Sequence, residues 1–129
     1  VIPSLVKRFS QAVEHGLDSV VVWGSGEACR DFLYVDDCAQ GIIHLAEVYS
    51  EDSPINIGSG YEVSIRKVAE TLKKVSGFKG EIIFDPSKPT GQFHRCLDIS
   101  KAETYGFSQK VGLEDGLGRC YEAYGKVCA

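Results

Sequence analysis

Across residues 20–37 the chain reads VVVWGSGEACRDFLYVDD, two apolar, strand-like runs on either side of a short loop that contains two glycines. No other segment constrains the fold as strongly, because such runs must find a pairing partner and a loop this short limits where the second can lie. The pattern predicts a strand over Ser19–Trp23 and a second over about residues 31–35, joined as a hairpin-like unit through residues 24–29. Trp23 stands at the loop's entrance and Arg30 at its exit. A flat indole and a guanidinium on opposite stems suit a ligand carrying both a ring and a phosphate. Glycines bare their N–H groups to anions, and arginine can grip phosphate with two parallel hydrogen bonds. The competing reading is a plain hairpin, with Trp23 in the core and Arg30 paired to Asp31 or Asp36. The acidic pair Asp36 and Asp37 reads as the cap of the next helix, ahead of any acid–base role.

The remaining elements follow from periodicity and punctuation. Pro3 suits a first helical turn, and Ile2, Leu5, Val6, Phe9, Ala12 and Val13 recur at helical spacing until Gly16. Ala39, Ile42, Ile43, Ala46 and Tyr49 form the expected buried stripe of a second helix. SPINIGSG reads as a short strand. Ser64 caps a third helix, with Ile65, Val68, Ala69, Leu72 and Val75 on one face and Gly77 as its stop. EIIFD is a strand and PSKPTG a turn-rich loop. HRCLDIS is a short strand running into a helical turn near residues 101–105. A last helix carries Leu113, Leu117, Cys120, Tyr121 and Tyr124, weakened by Gly116 and Gly118. The class is α/β, with mixed short strands and about four main helices, in a single unit over residues 1–129.

Charge and cysteine usage narrow the function. A net charge of −4 disfavours a nucleic-acid partner, and no apolar run is long enough to span a membrane. The five cysteines are odd in number and lack the paired spacing of a zinc site or a disulfide framework, so they read as reduced thiols of a cytoplasmic protein, with Cys128 exposed. No metal-ligand cluster is expected. The chain opens on VIPSLVKRF, already inside an element, and contains no methionine, which reads as a fragment whose N-terminal part lies elsewhere.

Chemistry-bearing side chains are sparse. Arg8, with Lys7, sits beside Phe9 on the first helix, either on a solvated flank or pointing into a cleft. Lys88 lies in the SKPTG loop, either simply solvated or held by turns in a defined place. His15, His44 and His94 have no paired acid at a convincing spacing, and His44 reads as a partly buried structural residue. Neither a GxGxxG nor a phosphate-binding P-loop is present, nor a Ser-His-Asp order.

Taken in order, these segments resemble the C-terminal part of the extended short-chain dehydrogenase/reductase family. The residues that carry the likeness are VxGxGxxxRDFLYVDD, a capped helix, INIGSG and a Ser-capped helix. VIPSLVKRF, VVVWGSG, the Ser64-Ile65-Arg66 helix start and FDPSKPTGQ followed by LDIS are similar in particular to the GDP-L-fucose synthase group within it. Thr90 stands where this loop commonly has Asp and Phe93 where Pro is frequent, and Gly112 replaces a Ser-type cap.

The resemblance implies a substrate-binding part whose N-terminal Rossmann half is missing. It implies that Arg8, Trp23, Arg30 and Lys88 hold the pyrophosphate of a GDP-sugar and cover its nucleotide or sugar. It also implies that NADPH, the Ser and Tyr-x-x-x-Lys residues of hydride transfer and the epimerisation pair belong to that other half. The parent enzyme would then act on GDP-4-keto-6-deoxy-D-mannose by 3,5-epimerisation and 4-reduction, as a homodimer. The isolated chain would hold no catalytic or cofactor-binding residue and would be inactive. Cys29, Cys38 and Cys96 do not take the place of the epimerisation cysteine. Two other readings stand beside this one: a different nucleotide-sugar epimerase, dehydratase or reductase of the same family, or a non-catalytic nucleotide-sugar-binding module.

Overall fold

Strand β1 (Ser19–Trp23) alternates as its sequence demands, with Val20 and Val22 buried and Val21 and Trp23 turned outward. In this computed structural model, which describes residues 1–89 and 91–128 and the side chains of residues 1–89 and 91–126, β1 is the seam of the main core. Helix α1 (Ile2–Glu14) carries Pro3 in its first turn and lays Leu5, Val6, Phe9 and Ala12 against it. Helix α3 (Ile65–Ser76) adds Val68, Ala69 and Leu72, and helix α5 (Leu113–Cys128) adds Leu117 with Leu113, Cys120, Tyr121 and Tyr124 around it. The α3 ends behave as expected. Ser64 Oγ accepts from Lys67 N at 3.1 Å, and Gly77 closes the helix at φ 71°, a left-handed conformation that a side chain would strain. Phe9 meets Phe78 edge to face, with ring centroids 5.7 Å apart.

The strand pairing departs from the expected hairpin. β1 pairs in parallel with β4 (Glu81–Asp85), from Ser19 opposite Glu81 to Trp23 opposite Asp85. Parallel partners need a crossover, and α3 lies within the one that joins them. β2 is only Cys29–Arg30 and pairs antiparallel with β3 (Val63–Ser64). On its other edge, Cys29 N and Asp31 N donate to the carbonyls of Phe93 and Arg95, at 2.6 and 3.2 Å. The HRCLDIS stretch therefore lies along β2 without forming a strand of its own. The expected strand over residues 31–35 is also absent, because Asp31 uses its carboxylate as an anchor. It accepts from Ser59 N and Ser59 Oγ, both at 2.7 Å, and the chain turns straight into α2 (Val35–Val48).

Helix α2 overturns two further expectations. Its N-cap is Tyr34, with no side-chain cap bond. Asp37 is instead buried and accepts from Lys110 N and Val111 N, at 3.0 and 2.8 Å, which fastens the approach to α5. The helix buries Asp37, Gly41 and Leu45, whereas Ile42 and Ile43 are each 56% exposed and Val35 is 67% exposed. The predicted apolar stripe exists but faces outward. Residues 55–57 of the INIG segment form no strand among the described residues. Ile55 and Ile57 join Leu33, Tyr49 and Tyr105 around a second, smaller cluster of Leu45, Ile99, Ala102 and Phe107, which includes helix α4 (Ser100–Thr104). The side chain of Cys128 and residue Thr90 lie outside the described residues. No helix among the described residues is long and apolar enough to cross a membrane.

Candidate functional site

The loop after β1 is shaped by what holds it. Gly24 N donates to Asp85 O at 2.8 Å, and Arg66, the second residue of α3, latches the loop from the far side. Arg66 N donates to Gly26 O at 2.8 Å and its guanidinium to Ser25 O at 3.0 Å, while the same guanidinium lies 4.0 Å above the Phe84 ring. Gly26 has φ 82°, and a Cβ there would fall 2.5 Å from Phe84 Cε1, so this turn admits only glycine. Arg66 is a positioning residue that sequence reasoning missed, since a charge just past a helix cap looks merely solvated.

With the loop so held, Trp23 stands out of the core and is 59% exposed. The Arg8 guanidinium carbon lies 5.3 Å from its ring centroid and Lys88 Nζ lies 5.9 Å away, both within cation–π range. Arg8 is steadied by donating to Val21 O at 2.5 Å. Lys88 is steadied by its turn: Asp85 Oδ1 accepts from Ser87 Oγ at 2.6 Å and Ser87 N at 3.1 Å, and Lys88 N donates to Asp85 O. The Ser87 hydrogen bonds, aided by the Lys88 charge, hold the Asp85 carboxyl below its ordinary value. Arg30 extends over the loop of residues 91–92, donating from one guanidinium nitrogen to Cys29 O and Gln92 O, each at 2.6 Å.

The alternative arrangement of a core tryptophan and an arginine paired to Asp31 or Asp36 is absent. Asp31 serves Ser59 and Gly60, and among the described residues no carboxylate oxygen lies within 4.0 Å of a side-chain nitrogen of Arg8, Arg30 or Lys88. Arg8, Trp23 and Arg30 line one cavity of about 290 Å³, with Ser4, Ile65 and Pro89, the residue after Lys88, on the same wall. Among its described lining residues there is no carboxylate, imidazole or thiol. Cations with no carboxylate oxygen within 4.0 Å, set around an exposed aromatic ring, can hold an anion and a flat group.

The histidines divide. His44 Nε2 lies 2.7 Å from Tyr105 O and is partly buried between α2 and the loop after α4, a structural role as expected. His94 is different. Its Nδ1 lies 2.8 Å from Glu62, and these two residues meet Cys29, contrary to the expectation of no metal-ligand cluster. The three are far apart in sequence and converge only through the β2–β3 pairing and the strand-like stretch beside it. Cys96 differs again, its thiol pushed up by desolvation and by the Asp31 and Glu62 carboxylates.

Comparison with known proteins matches residues 1–58 to the NAD dependent epimerase/dehydratase family. GDP-L-fucose synthase 1 of Arabidopsis thaliana is 45% identical over 129 residues, which is 99% of this chain and 40% of that protein. GDP-L-fucose synthase of Escherichia coli K12 is 40% identical over 95% of this chain and 41% of its own length. A crystal structure of a GDP-L-fucose synthetase from Naegleria fowleri bound to NADP superposes with a TM-score of 0.90 at 28% identity, covering 98% of this chain and 40% of that one. The chain is homologous to these GDP-L-fucose synthases, spans about two fifths of their length, and corresponds to their C-terminal portion.

Proposed function

We propose that this chain is the GDP-sugar-binding part of a GDP-L-fucose synthase-like enzyme, which converts GDP-4-keto-6-deoxy-D-mannose by 3,5-epimerisation and NADPH-dependent 4-reduction. The observation that carries this reading is Arg8 and Lys88 gathered at the exposed Trp23 with Arg30 on the same cavity, none of the three in an ion pair among the described residues. Arg30 and Lys88 supply positive charge for the pyrophosphate, Trp23 a flat wall for base or sugar, and Arg8 a second cation that steadies the indole. Their contribution is orientation and binding energy, which lowers the barrier only when the reacting atoms are presented correctly to groups elsewhere.

NADPH does not fit the loop between β1 and β2. The glycine-bearing loop runs from β1 into β2 rather than into a helix, so it lacks the helix N-terminus that cradles a dinucleotide pyrophosphate. The reading therefore assigns the cofactor, and the residues of hydride and proton transfer, to an N-terminal Rossmann half. That half would also cover the outward stripe of α2, where Val35, Ala39, Ile42 and Ala46 recur at helical spacing, and would pair with the INIG segment, which forms no strand among the described residues. Alone, the chain binds nucleotide without turning it over and leaves that face open to self-association.

Calorimetric titration with GDP, UDP and ADP tests the proposal, run on the chain and on the full-length protein. GDP should bind most tightly. Trp23→Ala and Arg30→Ala should each weaken it by roughly tenfold or more, as expected for loss of a stacking surface or a charge-assisted hydrogen bond. Equal affinity for the three nucleotides, or GDP affinity untouched by both substitutions, would overturn it.

A further inference from the structure

Cys29, Glu62 and His94 come from three separate segments, yet a ligand-competent atom of each lies within 4.8 Å of the other two. The main chain brings them there. Cys29 sits on β2, and its N–H donates to Phe93 O at 2.6 Å, which places His94 one residue along. On the opposite edge β2 pairs with β3, and Glu62 directly precedes that strand. Backbone hydrogen bonds thus hold the spacing of the three, and only side-chain rotation is needed to adjust it.

We propose that these three residues form a binding site for one divalent transition metal of the zinc class. The donor set is a thiolate, an imidazole and a carboxylate, which favours Zn²⁺ and its spectroscopic stand-in Co²⁺ over the all-oxygen preferences of Mg²⁺ and Ca²⁺. Metal–ligand bonds of about 2.0–2.3 Å in a tetrahedral site put ligand atoms roughly 3.3–3.8 Å apart. The present separations reach that range by a shift of about an ångström or so. His94 has room to make it, with its side chain 74% exposed and its Nδ1 2.8 Å from Glu62. Three protein ligands leave a fourth position for water. The site is distinct from the nucleotide cavity but adjoins it, because Cys29 O and Gln92 O both accept from Arg30. Metal would brace the same two stretches that carry that guanidinium.

The test is a Co²⁺ titration of the reduced chain, followed by absorption and without nucleotide, so its outcome is independent of the GDP reading. One Co²⁺ per chain should bind with a sulfur-to-cobalt charge-transfer band, and Zn²⁺ should displace it. Cys29→Ser should abolish the band, while Cys96→Ser and Cys120→Ser should leave it. His94→Ala and Glu62→Gln should each weaken Co²⁺ affinity about tenfold or more. His94 is exposed, so its substitution leaves the fold intact by circular dichroism and decides the matter even if Cys29→Ser does not fold. No charge-transfer band, a band that survives Cys29→Ser, or Co²⁺ affinity unchanged in His94→Ala would each overturn the proposal.

Discussion

The two hydrophobic clusters are built on different terms. In the larger, β1 is backed by α1, α3 and α5, and Phe9, Val68, Ala69 and Leu72 are fully buried. The smaller, around Leu45, Ile99, Ala102 and Phe107, has α2 on one side, and the opposite side of that helix is apolar and open. Burial of apolar surface is roughly additive in area, so a cluster with one unpartnered wall is the weaker unit. The cavity beside Trp23 and the Cys29–Glu62–His94 cluster are assembled by segments flanking β1, β2 and β4, and β1 belongs to the larger core.

The largest effect should come from the larger core. Phe9→Ala removes a fully buried ring that packs on Phe78, and should lower unfolding free energy by about 3–5 kcal/mol in urea denaturation. Leu45→Ala in the smaller cluster should cost only about 2 kcal/mol, because a half-open site relaxes into the space. Equal losses at the two sites would break the distinction. Native-state hydrogen exchange would sharpen it: α3 amides should exchange only by global unfolding, α2 amides by local opening. Ser64→Ala should cost about 1 kcal/mol through the lost cap on Lys67 N, again read by urea midpoint.

The smallest effect is electrostatic and confined to the weaker cluster. Glu51 receives hydrogen bonds from Lys101 and Tyr105, which hold its carboxyl down from 4.5 to about 2. A depressed carboxyl stabilises the fold above pH 4.5, and that stabilisation fades as pH falls from 4.5 toward 2. Glu51→Gln should therefore lower the neutral-pH Tm, by a small amount because the pair is exposed, and leave the Tm unchanged once the pH falls to about 2, which flattens the acid limb of a Tm-against-pH curve. An acid limb identical to the parent's would show that this network does not contribute.

Much of the local structure was legible. Pro3, Ser64 and Gly77 mark helix ends through backbone geometry that each residue imposes on its own neighbourhood, and the apolar spacing of α1, α3 and α5 names their buried faces. The α2 stripe misled because periodicity identifies an apolar face without saying what covers it. The site was legible in pieces: Trp23, Arg30, Arg8 and Lys88 drew notice by residue type and placement, and the structure brings Arg8 and Lys88 to the indole and Arg30 to the same cavity. Arg66 was noticed only as part of the Ser64-Ile65-Arg66 helix start, and its hold on the β1–β2 loop was not legible.

What the sequence alone determined is where elements begin and end and which residues are chemically able to grip a phosphate, a ring or a metal, since those are properties of a residue and its near neighbours. Only the tertiary structure decided that β1 takes β4 as its partner instead of β2, that Asp31 and Asp37 are anchors, and that Cys29, Glu62 and His94 meet. Pairing and convergence are choices among distant partners, settled by which arrangement buries the most apolar surface while satisfying every backbone hydrogen bond, and no local stretch carries that information.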